Sequence, residues 1–427
     1  MASISSLISK HRPSLSTYEE LYRYYHANPE LSNQEKETAA HIASHLTSKV
    51  SSDFDVRTSI GGHGLAALLF NGSGPTVLLR ADFDALPVLE RTGLEYASKK
   101  RMVDADGVEK PVMHACGHDM HISCLLAAAE PLVSCREHWA GTLLLVFQPA
   151  EERGTGAQAM IDDGLYTKHK VPIPDVVLGA HVMPLRAGVI GTKRGLIATS
   201  ADSMRVTLHG RGGHASMPHN LVDPVVMAAH TIIRLQNIVS REVPPADHVV
   251  VTVASVQAGD AENIVVDDAK LAIDVRTSDQ KTRDKVRDSI HRIVKAESLA
   301  SNAVAEPTFE VSRTFPLTIN DETVTEKLEA TFHAHFGEGA HGYNPDIAKL
   351  GGSEDFSILG TAVDRPCSFF MYGGTDPELY DKYEAEGTLS EKVPINHSGL
   401  FAPVIQPTLQ TGCDGYAGAA LTWLIKS

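Results

Sequence analysis

Three histidines, one cysteine and one aspartate lie within eight residues, in the run His114-Ala-Cys116-Gly-His118-Asp119-Met-His121. Cys116 and His118 can face one ion if the chain turns tightly between them, and Gly117 permits such a turn. The N-terminus of a helix expected after the cluster would favour a thiolate at Cys116. A lone histidine is usually a packing residue, but a cluster of this composition is typical of metal ligands. The cluster therefore predicts a metal centre.

Further metal-capable side chains follow three apolar runs of the sequence. The runs and the residues that they lead to are Thr76–Leu79 with Asp82 and Asp84, Thr142–Phe147 with Glu151 and Glu152, and Val176–Gly179 with His181. Carboxyl ends of strands in open α/β sheets are where ligand crevices form. Adjacent acids are commonly a solvated turn, yet one of the Glu151–Glu152 pair could bind metal while the other acts as general base. His397, in a distant loop, would bring one more imidazole.

The same runs indicate the elements that position these side chains. Continuously apolar segments are typical of strands buried on both faces, and Asp119–Cys135 has apolar residues at helical spacing. This strand–helix alternation predicts an α/β catalytic domain, with a mixed sheet that carries helices on both faces. Ser16–Val50 reads as helical, and the α/β pattern returns after Phe315. There it predicts a strand at Pro366–Tyr372 and a helix within Gly412–Ile425.

Between these parts the pattern changes to strands with one solvated face, as where Met204, Val206 and Leu208 alternate with polar residues. The later predicted elements are a helix at 224–239, strands at 249–256 and 271–275, a helix at 281–299 and a strand at 308–311. The order βαββαβ is the split βαβ arrangement of a ferredoxin-like domain. We therefore predict a catalytic domain formed by residues 1–200 and 314–427 and an inserted lid and dimerisation domain at 201–313.

Composition narrows the classes of function. The 427-residue chain has 38 Lys+Arg against 53 Asp+Glu, which gives a net charge of −15. Nucleic acid and anionic membranes attract basic surfaces, so neither is expected as a partner. No uncharged apolar stretch approaches the ~18 residues of a membrane helix, and the N-terminus lacks the apolar core of a secretion signal. Five cysteines at irregular spacing do not form a disulfide framework. The expectation is a soluble, cytoplasmic protein.

Six motifs resemble the amidohydrolase branch of the dinuclear-metal aminoacylase and carboxypeptidase-G-like peptidases, and the resemblance covers approximately Leu65 to Leu421. That branch includes hippurate hydrolases, N-acyl-amino-acid hydrolases and auxin–amino-acid conjugate hydrolases. The motifs, in the order of the family, are His114-Ala-Cys-Gly-His-Asp119, Gln148-Pro-Ala-Glu-Glu152, Gly179-Ala-His-Val182, Gly212-Gly-His-Ala-Ser-Met-Pro218, Gly352-Ser-Glu-Asp-Phe356 and Asn396-His-Ser398.

The resemblance implies a site for two divalent metal ions and a general base, Glu151. The implied metal ligands are Cys116, His118, Glu152, His181 and His397. A thiolate, imidazoles and a carboxylate suit zinc, although manganese, cobalt or nickel can fill such a site. In related peptidases outside this branch a carboxylate bridges the two metals, and Cys116 looks like its replacement.

Three further residues, Asp84, His214 and Asn263, are similar to family positions or lie in segments that resemble the family's, and Arg276 is singled out because it ends a predicted strand. Asp84 resembles a carboxylate that orients a ligating imidazole, with the capping of a turn as the alternative. His214 would stabilise an oxyanion, and in related peptidases the corresponding histidine reaches the partner subunit's site; alternatively it caps its own loop. Asn263 lies in a segment similar to a substrate-contacting loop. Arg276 could pair with a substrate carboxylate or form a surface salt bridge.

The predicted protein is a metallo-amidohydrolase that cleaves N-acyl or aminoacyl amino-acid conjugates through a metal-bound hydroxide, with Glu151 as general base. The resemblance also implies a homodimer through the lid domain. A dipeptidase or carboxypeptidase is one alternative, and a metal-dependent peptide or amino-acid binding protein with little turnover is another. A cysteine hydrolase using Cys116 would leave the other predicted ligands unexplained. Arg153, where the family often has glycine, leaves the substrate preference open.

Overall fold

An eight-stranded mixed sheet organises the larger part of the chain, and a separate four-stranded sheet organises the smaller part. The computed structural model describes residues 2–339 and 341–426. Its contacts divide the chain into two units. The inserted unit consists of Ala198–Thr318 and Leu350–Glu354, and the large unit is formed by the residues before, between and after these two segments. The predicted α/β class with a large mixed sheet is confirmed.

The elements of the described residues are numbered along the chain. The helices are α1 (Ile4–His11), α2 (Ser16–Ala27), α3 (Lys36–His45), α4 (His118–Ser134), α5 (Gly156–Asp162), α6 (Pro224–Asn237), α7 (Gln280–Ala300), α8 (Glu322–Phe336), α9 (Ile358–Thr361), α10 (Pro377–Ala385), α11 (Leu389–Lys392) and α12 (Thr408–Leu424). The strands are β1 (Asp55–Ile60), β2 (Gly64–Asn71), β3 (Thr76–Asp82), β4 (Arg101–Val103), β5 (Glu109–Pro111), β6 (Gly141–Gln148), β7 (Val176–Arg186), β8 (Ile190–Gly191), β9 (Gly195–Ala198), β10 (Ser200–His209), β11 (Gly213–His214), β12 (Val249–Gln257), β13 (Ile264–Val265), β14 (Asp268–Thr277), β15 (Thr308–Phe315), β16 (Thr318–Asn320), β17 (Tyr343–Asn344) and β18 (Cys367–Thr375).

Four neighbouring strands at the centre of the large sheet are parallel, in the order β6-β3-β7-β18. Every residue of β6 is buried, as the apolar run Leu143–Phe147 within it predicts. Because the strands are parallel, their carboxyl ends meet at one edge of the sheet. Strand β3 also buries Arg80 and Asp82, which are fully inaccessible to solvent. Charged side chains in such a position need partners within the protein.

Helices α4 and α12 pack against each other and against β3. Helix α4 is buried over nearly its whole surface, which explains why its sequence has little polar face. The segment Ser16–Val50, which the sequence predicts to be helical, contains α2 and α3 with a loop between them. Helix α2 ends at Ala27 because Asn28 leaves the helical conformation and Pro29 cannot continue it. The loop allows side chains such as Glu35 to turn into the interior.

The inserted unit contains an antiparallel sheet of order β12-β14-β10-β15. Strands β10 and β14 pair without interruption from Ser200↔Thr277 to His209↔Asp268. Alternate residues such as Leu208 and Ile273 are buried with side chains of α6 and α7, whereas Lys270 faces solvent. The long elements follow one another as strand, helix, strand, strand, helix, strand. The unit extends a few residues beyond 201–313 and also takes in Leu350–Glu354.

Within the described ranges, no helix combines the length and the apolar character that a membrane crossing requires. All five cysteines are free and buried.

Candidate metal centre

The structure brings the five sequence-predicted ligands together at the carboxyl edge of the large sheet. These residues and the neighbouring Glu151 form three groups, and within each group the potential ligand atoms lie within 4.8 Å of one another. The groups are Cys116 with His118 and His181, Cys116 with Glu152 and His397, and His118 with Glu151 and Glu152. These groups share members, so they form one continuous site. Only His397 is substantially exposed, with 55% of its side chain accessible. The site therefore opens to solvent beside His397.

Backbone geometry explains how the cluster before α4 reaches the site. Gly117 has a φ of +84°, and a Cβ there would meet Val182 Cγ1 at 2.4 Å, so only glycine fits. The backbone of His397 also has the left-handed conformation, with a φ of 70°. Its N–H donates a hydrogen bond to the carbonyl oxygen of Ala115 at 2.7 Å. Asn396 Nδ2 donates to the carbonyl of Cys116 at 3.2 Å. The C-terminal loop is thereby attached to the turn that carries Cys116.

The distances between side chains leave room for a group among them. Cys116 Sγ lies 3.5 Å from His181 Nε2, and Glu152 Oε2 lies 3.4 Å from His397 Nε2. His118 Nε2 lies 3.9 Å from Glu151 Oε2 and 3.9 Å from Glu152 Oε1. Among the described residues, neither His118 Nε2 nor Glu152 Oε1 has a hydrogen-bond partner, although both are buried. Such atoms are costly to bury unsatisfied, and a cation between them would satisfy both.

The charges of the site also favour a cation. Burial opposes a proton on His118, but Asp82, Asp84 and Glu152 outweigh burial and raise the pKa of the imidazole to about 10. The same carboxylates would attract a divalent ion, which would displace that proton.

The same environment has the opposite consequence for Cys116, because it disfavours the negative charge of a thiolate. Burial, followed by the charges of Glu152 and Glu151, raises the pKa of Cys116 well above its usual range. The predicted favourable effect of the N-terminus of α4 on a thiolate at Cys116 is thus opposed, in the absence of metal, by burial and by the neighbouring carboxylates. A thiolate at this position requires a cation beside it.

A buried network behind the site orients its side chains. His121 Nε2 accepts a hydrogen bond from Val182 N at 2.8 Å, so the proton of the ring lies on Nδ1, which donates to Asp82. Arg80 Nη1 donates to the other oxygen of Asp82 at 2.7 Å. Since Val182 follows His181, the network holds the strand that presents that imidazole. Sequence reasoning assigned no role to Arg80, although a cation within an apolar strand is a signal of such a network.

Asp84 holds the turn that carries the paired glutamates. Its Oδ1 accepts from Glu151 N at 3.1 Å, and its Oδ2 accepts from Glu152 N at 3.1 Å. Asp84 Oδ1 also lies 3.3 Å from His118 Nδ1. Asp84 therefore contacts both a turn and an imidazole. The sequence predicted these two contacts as alternative roles for this carboxylate. Arg153, at the end of the same turn, is exposed.

The remaining members of the histidine cluster do not face the site. Asp119 Oδ2 lies 2.6 Å from His26 Nδ1, and Glu90 Oε1 lies 2.9 Å from His26 Nε2. Burial opposes a charge on His26, but the hydrogen bonds to Asp119 and Glu90 raise its pKa to about 9. His26 is therefore an imidazolium that anchors the first turn of α4. Burial lowers the pKa of His114 to about 4, and its ring nitrogens have no hydrogen-bond partner among the described residues.

The other sequence-predicted residues lie in the inserted unit. His214 is exposed on β11, and its Nδ1 accepts a hydrogen bond from Ser216 N at 3.1 Å. Asn263 is exposed, and its carbonyl accepts from Ala215 N at 3.1 Å. Arg276 donates to Asp274 Oδ2 at 2.9 Å and to a serine hydroxyl, that of Ser353, at 3.0 Å. Within this unit the loops of His214 and Asn263 are paired with each other.

Comparison with known proteins identifies clear relatives. A sequence profile of Peptidase family M20/M25/M40 matches residues 78–393. Hippurate hydrolase of Campylobacter jejuni is 37% identical over 344 residues, which cover 80% of this chain and 84% of that protein. N-acetyl-L-cysteine deacetylase of Bacillus subtilis is 34% identical over 378 residues, covering 88% and 84% respectively. The crystal structure of a dinuclear metal-binding M20 peptidase from Bacillus subtilis has a TM-score of 0.71 and 26% identity, covering 95% of this chain and 97% of that one.

The raised pKa of His26 predicts how the free energy of unfolding depends on pH. Its pKa is raised from 6.5 to about 9, so its contribution is fully present below pH 6.5 and is lost as the pH rises through 9. In metal-free protein, His26→Gln should remove about 3 kcal/mol of unfolding free energy at pH 6 and flatten the profile between these values. Urea unfolding across pH 6–10 measures this. His219→Gln, at an exposed histidine, is the control. Equal pH slopes in wild type and His26→Gln would contradict the assignment.

Proposed function

The chain belongs to Peptidase family M20/M25/M40 and is a metal-dependent hydrolase of amide bonds, and on this basis we propose that it cleaves N-acyl or aminoacyl amino-acid conjugates. The observation that carries the proposal is the convergence of ligand-type side chains around buried, unsatisfied atoms of His118 and Glu152, with Glu151 beside them. The names of the relatives, a hippurate hydrolase and an N-acetyl-L-cysteine deacetylase, support an acylated amino acid as substrate.

We propose that two metal ions are held by side chains that share this edge of the sheet. The proposed ligands are Cys116, His118, Glu152, His181 and His397. Zinc suits a thiolate, imidazoles and a carboxylate best, and manganese, cobalt or nickel are compatible with the same donors. Bound metal would supply Lewis acidity, which lowers the pKa of a water molecule and polarises the amide carbonyl.

Glu151 is proposed as the general base. It is adjacent to a proposed ligand, Glu152, and its Oε2 lies 3.9 Å from His118 Nε2. At this position it takes a proton from the attacking water and returns it to the leaving amine. Asp84 keeps the two glutamates in their relative orientation through their backbone amides. A protein that only binds amino acids would have no use for a base beside the ligands.

His214 is proposed to stabilise the oxyanion that forms on the amide carbon. Because His214 Nδ1 accepts from Ser216 N, the proton of the neutral ring lies on Nε2, which is then a donor. A fixed donor of this kind stabilises developing negative charge. We further propose that Asn263, in the paired loop, and Arg276 contact the polar groups of the substrate.

We propose that the protein is a homodimer through the inserted unit. Strand β12 is an edge of its sheet, and α6 packs against it. Apolar side chains remain exposed on both elements, including Val226 at 52%, Ile233 at 69% and Val256 at 51%. Exposed apolar surface next to an edge strand favours pairing with another chain. The resemblance to related peptidases, in which the corresponding histidine serves the partner subunit, supports the same arrangement.

A cytoplasmic location is proposed from the thiols. All five cysteines are free, which is the usual state in a reducing compartment.

The substrate class is tested with a panel of compounds. Purified protein, analysed for metal and reconstituted with zinc or manganese, should hydrolyse N-acetyl, N-benzoyl or indole-acyl amino acids faster than plain dipeptides. Release of the free amino acid is measured by mass spectrometry. A preference for dipeptides would instead support a dipeptidase. Absence of hydrolysis of every amide by metal-replete protein would support a binding protein.

The roles of the paired glutamates are separable. Glu151→Gln should retain metal but lose at least ~10²-fold in kcat, the scale of a positioned general acid–base. Glu152→Gln should lower metal affinity, because it removes a proposed ligand. Metal content by elemental analysis and kcat at saturating metal distinguish the two. If the two effects appear at the opposite residues, the assignment of base and ligand is reversed.

The role of His214 is tested by substitution and by subunit mixing. His214→Ala should keep metal and fold but lose ~10²–10³-fold in kcat, the scale of one oxyanion donor. If His214 acts in the partner's site, mixing His214→Ala with Glu151→Gln subunits should restore activity, because one site of each heterodimer then contains both intact groups. Mixtures that stay inactive, in samples where heterodimers are demonstrated by mass, would show that the residue acts within its own subunit.

A further inference from the structure

The turn between β6 and the paired glutamates has an unusual conformation. Ala150 is left-handed, with a φ of 49°, although it is not a glycine. It is 1% exposed, and the glutamates Glu151 and Glu152 follow it directly. L-residues rarely adopt this conformation unless the surroundings impose it. The direction in which both carboxylates leave the sheet therefore depends on whatever holds Ala150.

Three successive amides of this turn are held by buried carboxyl groups from other parts of the chain. Asp84 accepts from Glu151 N and Glu152 N, each at 3.1 Å. Glu35 Oε1 accepts from Ala150 N at 2.9 Å. The amide of the left-handed residue is thus held by Glu35 rather than by Asp84.

The Glu35 side chain is placed for this contact. Glu35 is the residue directly before α3, a position where a glutamate would ordinarily be exposed, yet it is fully buried. Its Oε1 also accepts from Asn33 N at 2.9 Å, whereas Oε2 has no hydrogen-bond partner among the described residues. Burial, and then the charge of Asp84, raises the pKa of Glu35 to about 8. A buried carboxyl in this setting acts through its acceptor oxygen, and glutamine would provide the same acceptor.

We propose that Glu35 is a positioning residue for the reaction, which by accepting the Ala150 amide maintains the turn that directs Glu151 and Glu152 into the metal centre. The inference rests on the proposed function of those two glutamates. Glu35 lies outside residues 78–393, the part of the chain that the family profile matches.

A matched control lies five residues earlier in the same loop. Glu30 is also buried, at 4% exposure, but its Oε2 accepts from Thr38 N and Thr38 Oγ1, each at 2.8 Å. Its carboxylate therefore stabilises the start of α3, and it makes no hydrogen bond to the turn at Ala150. Substitution of either glutamate removes a buried carboxyl from the loop, but only Glu35 contacts the turn.

The test compares Glu35→Ala, Glu35→Gln and Glu30→Ala as metal-replete enzymes. The measurements are kcat, KM, metal content and amide hydrogen exchange in the peptide that spans residues 148–153. Glu35→Ala should lower kcat about 10- to 100-fold, the scale for groups that orient metal-site side chains, and should speed exchange at the turn. Glu35→Gln should recover most of the kcat. Glu30→Ala should lower the melting temperature while kcat and exchange at the turn remain those of the wild type.

Glu35→Asp covers the case in which the alanine variant does not fold. It keeps the acid but is one methylene too short to reach the Ala150 amide, so it should lose kcat as the alanine variant does. Wild-type kcat in Glu35→Asp, or equal losses in Glu35→Gln and Glu35→Ala, would overturn the proposal. Faster exchange at the turn with unchanged kcat would also overturn it. The proposed function would still stand in that case, because Glu151→Gln in the wild-type background tests it separately.

Discussion

The rest of the site depends on one constraint, which is that several negatively charged carboxylates are buried close together. Asp82, Asp84, Glu151 and Glu152 stand at the ends of adjacent parallel strands, all with less than a tenth of their surface exposed. Without a metal, the nearby compensation comes from the Arg80 guanidinium, 2.7 Å from Asp82, and from a proton on His118, whose pKa is raised to about 10. A divalent cation supplies more positive charge to the same carboxylates and also permits a thiolate at Cys116. The affinity of the site for cations follows from the sheet topology.

The protein around the site keeps these side chains in place through groups that never reach it. The Arg80 guanidinium and the His121 imidazole share Asp82, and Val182 N completes the chain of hydrogen bonds. His121 thereby joins α4, which begins at His118, both to β3 and to β7, the strand that carries His181. His26 attaches the first turn of α4 to the N-terminal helices. The N-terminal segment is therefore part of the apparatus of the site and not only a cover for the sheet.

Much of the fold and the site could be predicted because the signals are local. Uniformly apolar runs mark buried strands such as β6, and the spacing of Cys116 and His118 marks a metal site. The features that could not be predicted depend on contacts between residues that are far apart in the sequence. Glu35 resembles an ordinary residue at a helix start until the fold places it beside Ala150. The thiolate expected at Cys116 followed from one helix end, whereas its surroundings include carboxylates from other strands.

The separation of the proposed ligands along the chain has a consequence for biosynthesis. Cys116 and His118 are made early, but His397 and the strand β18 that pairs with β7 are made only after the whole inserted unit. During translation the central strands therefore exist for a time without one neighbour, and one of the proposed metal ligands is still missing beside them. Metal capture by the complete set of proposed ligands would therefore have to wait until His397 has been made. Bound metal would join segments that are distant in the sequence and favour the folded protein over partly assembled forms.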